Sequence, residues 1–168
     1  MKQRTLHKAC GKKPNEAERF EKWLMSDRIG IGRCRRGSNV QQLSVYANLE
    51  DAASAPFEEG ARISVLSNLY SSCQPLKALL AMKALCGMGR SGSEEAKEAF
   101  AELARKWIAD EAIQSFNKDI WAKGVVLIIN TAGELNMRGL KRELAAAARE
   151  DPHISFWRRA VKLGCEVL

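Results

Sequence analysis

The chain has 168 residues, 46% of them hydrophobic and 28% charged, a balance typical of a soluble globular protein that excludes a fibrous or largely disordered one. Its five irregularly spaced cysteines argue against a disulfide framework, and its longest apolar stretch, residues 124–129, is far shorter than the roughly 20 residues that span a bilayer. The sequence therefore predicts a cytoplasmic protein without membrane association, carrying a formal net charge of +7.

The whole of this net charge lies in the first 40 residues, which hold eleven Lys/Arg and four Asp/Glu, whereas the rest holds sixteen of each. A charge distribution this uneven attracts a polyanion or an acidic protein surface. Arginine binds phosphate in a bidentate manner, and glycine allows close approach of a backbone, so the Gly/Arg stretch 28–36 is the strongest candidate site. We predict that nucleic-acid phosphates are contacted by Arg28, Arg33, Arg35, Arg36, Lys12 and Lys13.

A short helix interrupts this basic region. Pro14-Asn15 and the acidic residues after it predict a helix start, and Phe20, Trp23 and Leu24 form its apolar face. Phe20 and Trp23, with Tyr46 nearby, have rings that can stack on bases; the alternative is that the first two pack the helix onto the rest of the protein. We divide the chain into a basic N-terminal arm, residues 1–40, and an all-helical domain, residues 41–168.

After the arm, the sequence predicts a succession of helices with short connections. The stretch Ser91-Gly92-Ser93 is placed to cap one helix whose apolar residues keep the helical period, and Asp151-Pro152 is placed to start the last. The acidic side of the helix after Ser93 is interleaved with bases, which indicates a solvated face with paired charges. The predicted helices cover 41–53, 59–71, Pro75 to the glycines Gly87 and Gly89, 94–108, 120–132, 136–150 and 153–167.

Residues 125–129 are β-branched or leucine and have strand propensity. No second run of this kind exists to pair with them, and an isolated strand leaves its backbone polar groups unsatisfied. We therefore predict a helix over 120–132, buried at the centre of the fold and ended by Gly133.

A shift of 44 residues lays 75–106 over 119–150 with six identities. Each copy consists of an apolar helix, a glycine, and an amphipathic helix that finishes in Ala-Arg. In this layout, over Glu59–Leu168, the chain resembles the HEAT-like (armadillo/HEAT-type) helical-pair proteins, whose repeats have about this length. The resemblance implies an all-α, right-handed stack of helix pairs that presents a binding surface; an antiparallel helical bundle is the alternative fold.

No catalytic signature is evident. The glycines at 30, 32 and 37 lack the spacing of a dinucleotide-binding loop, and His7-x-x-Cys10, even with Cys34, lacks the second ligand pair of a structural zinc site. We therefore predict no enzymatic activity, no cofactor and no metal. The predicted function is nucleic-acid binding by the basic arm on a helical scaffold. The alternative is a protein–protein adaptor, inhibitor or effector that docks its partner through the helical body.

Overall fold

The regular secondary structure is entirely helical over residues 15–26 and 38–150, which are the residues that the computed structural model describes. A short 3₁₀ turn, Ala52–Ser54, follows the second helix. The predicted helix 153–167 lies outside the described residues. The eight α-helices are α1 (Glu16–Leu24), α2 (Ser38–Asp51), α3 (Glu59–Ser67), α4 (Pro75–Arg90), α5 (Glu94–Ala109), α6 (Glu111–Phe116), α7 (Lys118–Glu134) and α8 (Arg138–Glu150).

Helix α4 is the most enclosed of these elements. Eleven of its sixteen residues are buried, because α2, α3, α5 and α7 all pack against it. The prediction that α7 lies at the centre is wrong in this respect. Helix α7 is a helix as expected, but Val126 is 41% exposed and Lys123 and Asn130 point to solvent. The polar residues on that side of α7 favour solvent, whereas α4 is apolar nearly all round.

Helix α1 belongs to the same core as the helices that follow it. It packs on α2 and α3, and Phe20 and Leu24 are 0% and 1% exposed. The ring of Phe20 lies 5.6 Å from that of Trp23 and 5.3 Å from that of Phe57. Such offset and tilted ring pairs add to the stabilisation that the buried area itself provides.

Helices α4 and α7 end in the same way, 44 residues apart. After α4, the Ser93 amide donates to the Met88 carbonyl at 3.2 Å, and the Gly92 amide donates to the Gly89 carbonyl at 3.1 Å. This is a Schellman motif, and it requires the left-handed backbone that Gly92 adopts at φ 102°. After α7 the equivalent bonds are Met137 to Ala132 at 2.9 Å and Asn136 to Gly133 at 3.1 Å, with Asn136 at φ 50°.

The predicted helix end at Gly87 and Gly89 is therefore wrong, since α4 continues to Arg90. Both glycines lie inside the helix, at positions where side chains of other elements come close to the backbone of α4. A Cβ at Gly87 would lie 3.1 Å from Cβ of Ala53, and one at Gly89 would lie 3.1 Å from a side-chain carbon of Leu135. Both glycines therefore lie in close packing contacts inside the helix, where a side chain would require its neighbours to shift by a few tenths of an ångström.

Positions 44 residues apart also correspond in where two helices begin and in an ion pair that joins the ends of two others. Helices α5 and α8 begin 44 residues apart, at Glu94 and Arg138. Arg90 at the end of α4 pairs with Glu134 at the end of α7, with an N–O distance of 2.5 Å. Helix α7 packs on α4, α5 and α8, so the pair α7–α8 lies beside the pair α4–α5.

Candidate anion-binding region

The six residues predicted to bind nucleic acid all lie outside the described residues, as do His7, Cys10 and Cys34. The structure describes helix α1, which lies between the two basic stretches in sequence, and the helices that pack against it. Helix α1 separates the two basic stretches, residues 1–14 and residues 27–37, and the fold determines how α1 is held.

The described part of the chain does not share the basic character of these stretches. Residues 15–26 and 38–150 contain 15 Lys/Arg and 17 Asp/Glu, so their formal charge is slightly negative. Residues 1–14 contain five Lys/Arg and no acid, and residues 27–37 contain four Arg and one Asp. The excess of positive charge therefore lies in the segments outside the described residues.

A buried side chain of α2 binds the end of α1. Asn48 of α2 is 1% exposed, and its Nδ2 lies 3.1 Å, 2.9 Å and 2.9 Å from the carbonyl oxygens of Trp23, Leu24 and Ser26. The last carbonyls of a helix have no partner within the helix, so Asn48 supplies one from another element. This clamp fixes the point at which the chain leaves α1 toward Arg28.

The start of α1 is also fixed. The Asn15 side chain accepts a hydrogen bond from the Glu18 amide at 2.8 Å, which is a standard N-cap. A nine-residue helix is about 13 Å long, so the two ends of α1, at Glu16 and Leu24, are separated by about that distance. Both basic stretches are thus tethered to one rigid element that is packed into the core.

The outer surface of α1 is not itself basic. Its acidic residues Glu16, Glu18 and Glu21 outnumber Arg19 and Lys22, and Arg19 pairs with Glu16. The helix carries a slight negative charge, so we assign it a positioning role rather than a contact with phosphate.

The aromatic residues near the arm serve packing. Phe20 is fully buried against Trp23 and Phe57, which removes its ring from the candidates for base stacking. Trp23 and Tyr46 are partly buried and pack against the same core. For Phe20 the packing alternative is confirmed.

The role of Asn48 was not predicted from the sequence, although its position on the apolar face of α2 indicates a buried polar residue. Val45, Leu49 and Ala52 are buried at helical spacing, and Asn48 lies on the same face of α2. A polar residue within an apolar stripe needs hydrogen-bond partners once it is buried. Such a residue in α2 indicates a contact with exposed backbone groups of another element.

A second polar cluster joins the loop after α3 to the start of α6. The Asp110 carboxylate accepts hydrogen bonds from the Tyr70 hydroxyl at 2.7 Å and the Ser72 hydroxyl at 2.5 Å, and it caps α6 by accepting from the Ile113 amide at 3.0 Å. Burial alone would raise the pKa of Asp110, but these hydrogen bonds outweigh it and lower the pKa. Burial and the bond to Asp110 raise the pKa of Tyr70. The hydroxyl groups of Tyr70 and Ser72 both have an acceptor in this cluster. We therefore interpret the cluster as a structural contact between the loop after α3 and the start of α6.

The acidic side of α5 is a solvated face with internal pairs, as predicted. Lys97 lies 2.5 Å from Glu94, and Lys106 lies 2.8 Å from Glu102. The hydrogen bond from Lys106 lowers the pKa of Glu102. Exposed pairs of this kind are typical of a helix surface and contribute little to stability.

Comparison of the chain with protein-family models, with curated proteins and with solved structures gives no match. Among the helices of the described ranges, none has both the length and the apolar character needed to cross a bilayer. The two features of this chain that bear on function are its uneven charge and the anchoring of α1.

Proposed function

We propose that this protein is a non-enzymatic nucleic-acid-binding protein, in which residues 1–14 and 27–37 contact phosphates while the helical body holds them in place. The positioning contacts are assigned to Arg28, Arg33, Arg35, Arg36, Lys12 and Lys13. These contacts carry affinity rather than sequence specificity.

The observation that carries this proposal is the anchoring of α1 by Asn48 and Phe20. Two stretches with nine Lys/Arg and one acid flank, in sequence, a fixed helix whose ends are about 13 Å apart. Tethering both to one rigid element reduces the entropy that is lost when they bind the same ligand. A flexible tail joined to the body at one end would not have this advantage.

The body that supports the arm is proposed to be a right-handed, HEAT-like stack of helix pairs. The shared 44-residue spacing of the ends of α4 and α7 and of the starts of α5 and α8 supports this view. So do the ion pairs Arg90–Glu134 and Arg105–Glu143, which join equivalent helices of successive pairs. An ordinary antiparallel bundle does not require such a repeat.

The test is fluorescence anisotropy with labelled single-stranded and double-stranded DNA and RNA of mixed sequence, across a salt titration. We expect the logarithm of affinity to fall linearly with the logarithm of salt concentration, with a slope of about −0.7 to −0.9 per phosphate contact. The variant Arg33→Ala/Arg35→Ala/Arg36→Ala should have a slope reduced by about two to three and an affinity at least about tenfold lower.

The matched control removes three exposed bases of the body instead, as Lys83→Ala/Arg138→Ala/Arg142→Ala. Its net charge changes by the same amount, so a loss of affinity confined to the arm variant assigns the contact to the arm. Unchanged affinity of the arm variant contradicts the proposal. If an acidic polypeptide of equal charge binds more tightly than nucleic acid, the partner is an acidic protein surface.

A further inference from the structure

We propose that this protein forms a two-fold symmetric dimer through one surface, to which α5 contributes acids and α8 contributes bases. We call this surface the bipolar face and define it by Glu95 and Glu98 of α5 with Arg138 and Arg142 of α8. All four residues are exposed. The inference concerns the helical body alone, so it does not depend on nucleic-acid binding by the basic stretches.

The start of α8 carries bases where a helix ordinarily favours acids. Its first turn holds no acid, and Arg138 and Arg142 lie about one turn apart on the same side of the helix. The positive end of the helix dipole disfavours Arg138, and like charges four residues apart repel each other. Two unfavourable local interactions thus occur together, which is typical of a surface with a role outside its own helix.

The acids closest to these bases in sequence do not offset the repulsion. Glu134 and Glu143 bind arginines of α4 and α5 instead, with N–O distances of 2.5 Å and 2.6 Å. Neither base of the bipolar face has an ion pair with a side chain that the structure describes. Both are therefore available to carboxylates of another molecule.

The equivalent positions of α5 carry the opposite charge. The 44-residue shift relates Arg138 to Glu94 and Arg142 to Glu98. The first nine residues of α5 contain four Glu and one Lys. Among the described side chains, Glu95 and Glu98 have no ion pair. The two helix pairs thus present an acidic surface and a basic surface at corresponding places.

These two surfaces are neighbours within one chain. Arg105 of α5 reaches Glu143 of α8, and both side chains are about half exposed. A surface that is acidic on one side and basic on the other is complementary to a second copy of itself. A two-fold axis between the two helices would put α5 of each copy over α8 of the other, so that every contact occurs twice.

A second copy suits this surface better than a long polyanion does. The acids of α5 repel phosphates that extend beyond α8, whereas a second copy satisfies the acidic and the basic half together. A surface built from two helices is small beside the roughly 800 Å² per partner of a standard interface. We therefore expect a weak, reversible dimer that weakens as salt is added, since the Debye length falls from about 8 Å at physiological ionic strength to about 3 Å at 1 M.

Sedimentation velocity of the full chain over a concentration series tests this dimer. The variant Glu95→Lys/Glu98→Lys makes the bipolar face basic throughout, and Arg138→Glu/Arg142→Glu makes it acidic throughout. Neither variant removes an ion pair that the structure describes. Each variant alone should raise the dissociation constant of the dimer at least about tenfold, because like charges then face each other.

A mixture of the two variants gives the sharpest measurement. In a dimer of one with the other, the basic α5 meets an acidic α8 and the basic α8 meets an acidic α5. An equimolar mixture, with one variant carrying a fluorophore, should therefore form a heterodimer at least as tight as the wild-type dimer. A folding defect in either variant cannot produce this rescue.

Matched controls place the same charge changes outside the bipolar face. They are Glu18→Lys/Glu21→Lys on α1 and Lys118→Glu/Lys123→Glu on α7, all at exposed residues. Because each control shifts the net charge as its counterpart does, it measures the effect of net charge alone. We expect both controls to dimerise more tightly than the corresponding variants of the bipolar face.

The proposal is overturned if the wild-type chain stays monomeric at low salt across the series, or if the mixture forms no heterodimer. Dimers of a face variant as tight as those of its control would assign self-association to another surface. A mass that rises beyond that of the dimer would contradict a closed two-fold contact.

Discussion

The indole ring of Trp107 lies directly against Gly124, where α5 meets α7. A Cβ at position 124 would come within 2.5 Å of Cζ2 of Trp107, and nearer still to Cε2 and Nε1. Trp107 is fully buried, and its Nε1 donates to the Trp121 carbonyl at 3.1 Å. The missing side chain of Gly124 thus allows the fully buried indole ring of Trp107 to contact the backbone of the neighbouring helix.

The variant Gly124→Ala should therefore destabilise the protein. Alanine in a helix ordinarily gains up to about 1 kcal/mol over glycine, but forcing a methyl group into a rigid, buried ring costs about 1–3 kcal/mol or more. We expect a net loss of about 1–2 kcal/mol in the free energy of unfolding, measured by urea titration. Gly139→Ala is the control, since nothing lies within 4 Å of its Cβ; it should be neutral or slightly stabilising. Equal stability of both variants would show that Trp107 can move.

Asn48→Ala should loosen α1. It removes the amide that donates to the carbonyls of Trp23, Leu24 and Ser26, of which only the Trp23 carbonyl keeps the Ser26 amide and hydroxyl as donors in the described contacts, and this should cost about 1–3 kcal/mol. Hydrogen exchange should increase in residues 15–26 more than in α4. The exposed Asn68→Ala variant serves as the control, and a uniform loss of protection in the two regions would argue against a local clamp.

Gly92 and Asn136, the residues with positive φ in the described part of the chain, should respond in opposite ways to substitution. Gly92→Ala should cost about 1–2 kcal/mol, because an L side chain is strained at φ 102°. Asn136→Gly should be neutral or stabilise by up to about 1 kcal/mol, because glycine adopts φ 50° without strain. The midpoints of thermal unfolding measure both, and a stabilising Gly92→Ala would contradict the assigned backbone conformation.

The lowered pKa of Asp110 makes stability depend on pH in acid. A carboxyl whose pKa is lower in the folded than in the unfolded state stabilises fully above its ordinary value of 3.8, and this contribution disappears as pH falls through the folded-state pKa. Between about pH 5 and pH 3, the wild-type protein should lose more stability than Asp110→Asn, which keeps the N-cap but cannot ionise. Urea unfolding across this pH range tests the difference; parallel curves would exclude Asp110 as a source.

The ion pair Arg105–Glu143 joins α5 to α8, with an N–O distance of 2.6 Å. Both side chains are about half exposed, so we expect a coupling energy of no more than about 1 kcal/mol in a double-mutant cycle with alanine. The coupling should shrink as salt is added. A coupling that salt does not change would mean that the pair is more shielded from water than its exposure indicates.

The helical content was predictable because apolar spacing and caps act locally. Ser93 caps α5 as expected, its Oγ accepting from the Ala96 amide at 3.1 Å. The end of α4 and the existence of α6 were not predicted. Gly87 and Gly89 pack closely against side chains of other elements, and the six residues of α6 depend on Asp110 and on packing against α7. No local pattern contains that information.

The candidate site was predictable only as a charge distribution. Counting charges located the basic stretches, but the contact that supports them joins Asn48 to carbonyls 22 to 25 residues earlier. Spacing along α2 marks Asn48 as buried and polar, yet does not identify its acceptors. Those follow from the way α1 and α2 pack.

The dependence of α1 on Asn48 and Phe57 has a consequence for synthesis of the chain. A ribosome releases α1 first, and its holding residues emerge up to 33 positions later, a delay of about 2–7 s at ordinary elongation rates. During that interval α1 lacks the side chains that bind and pack it. The order of synthesis thus keeps α1 from its final contacts until α2 and the residues after it have emerged.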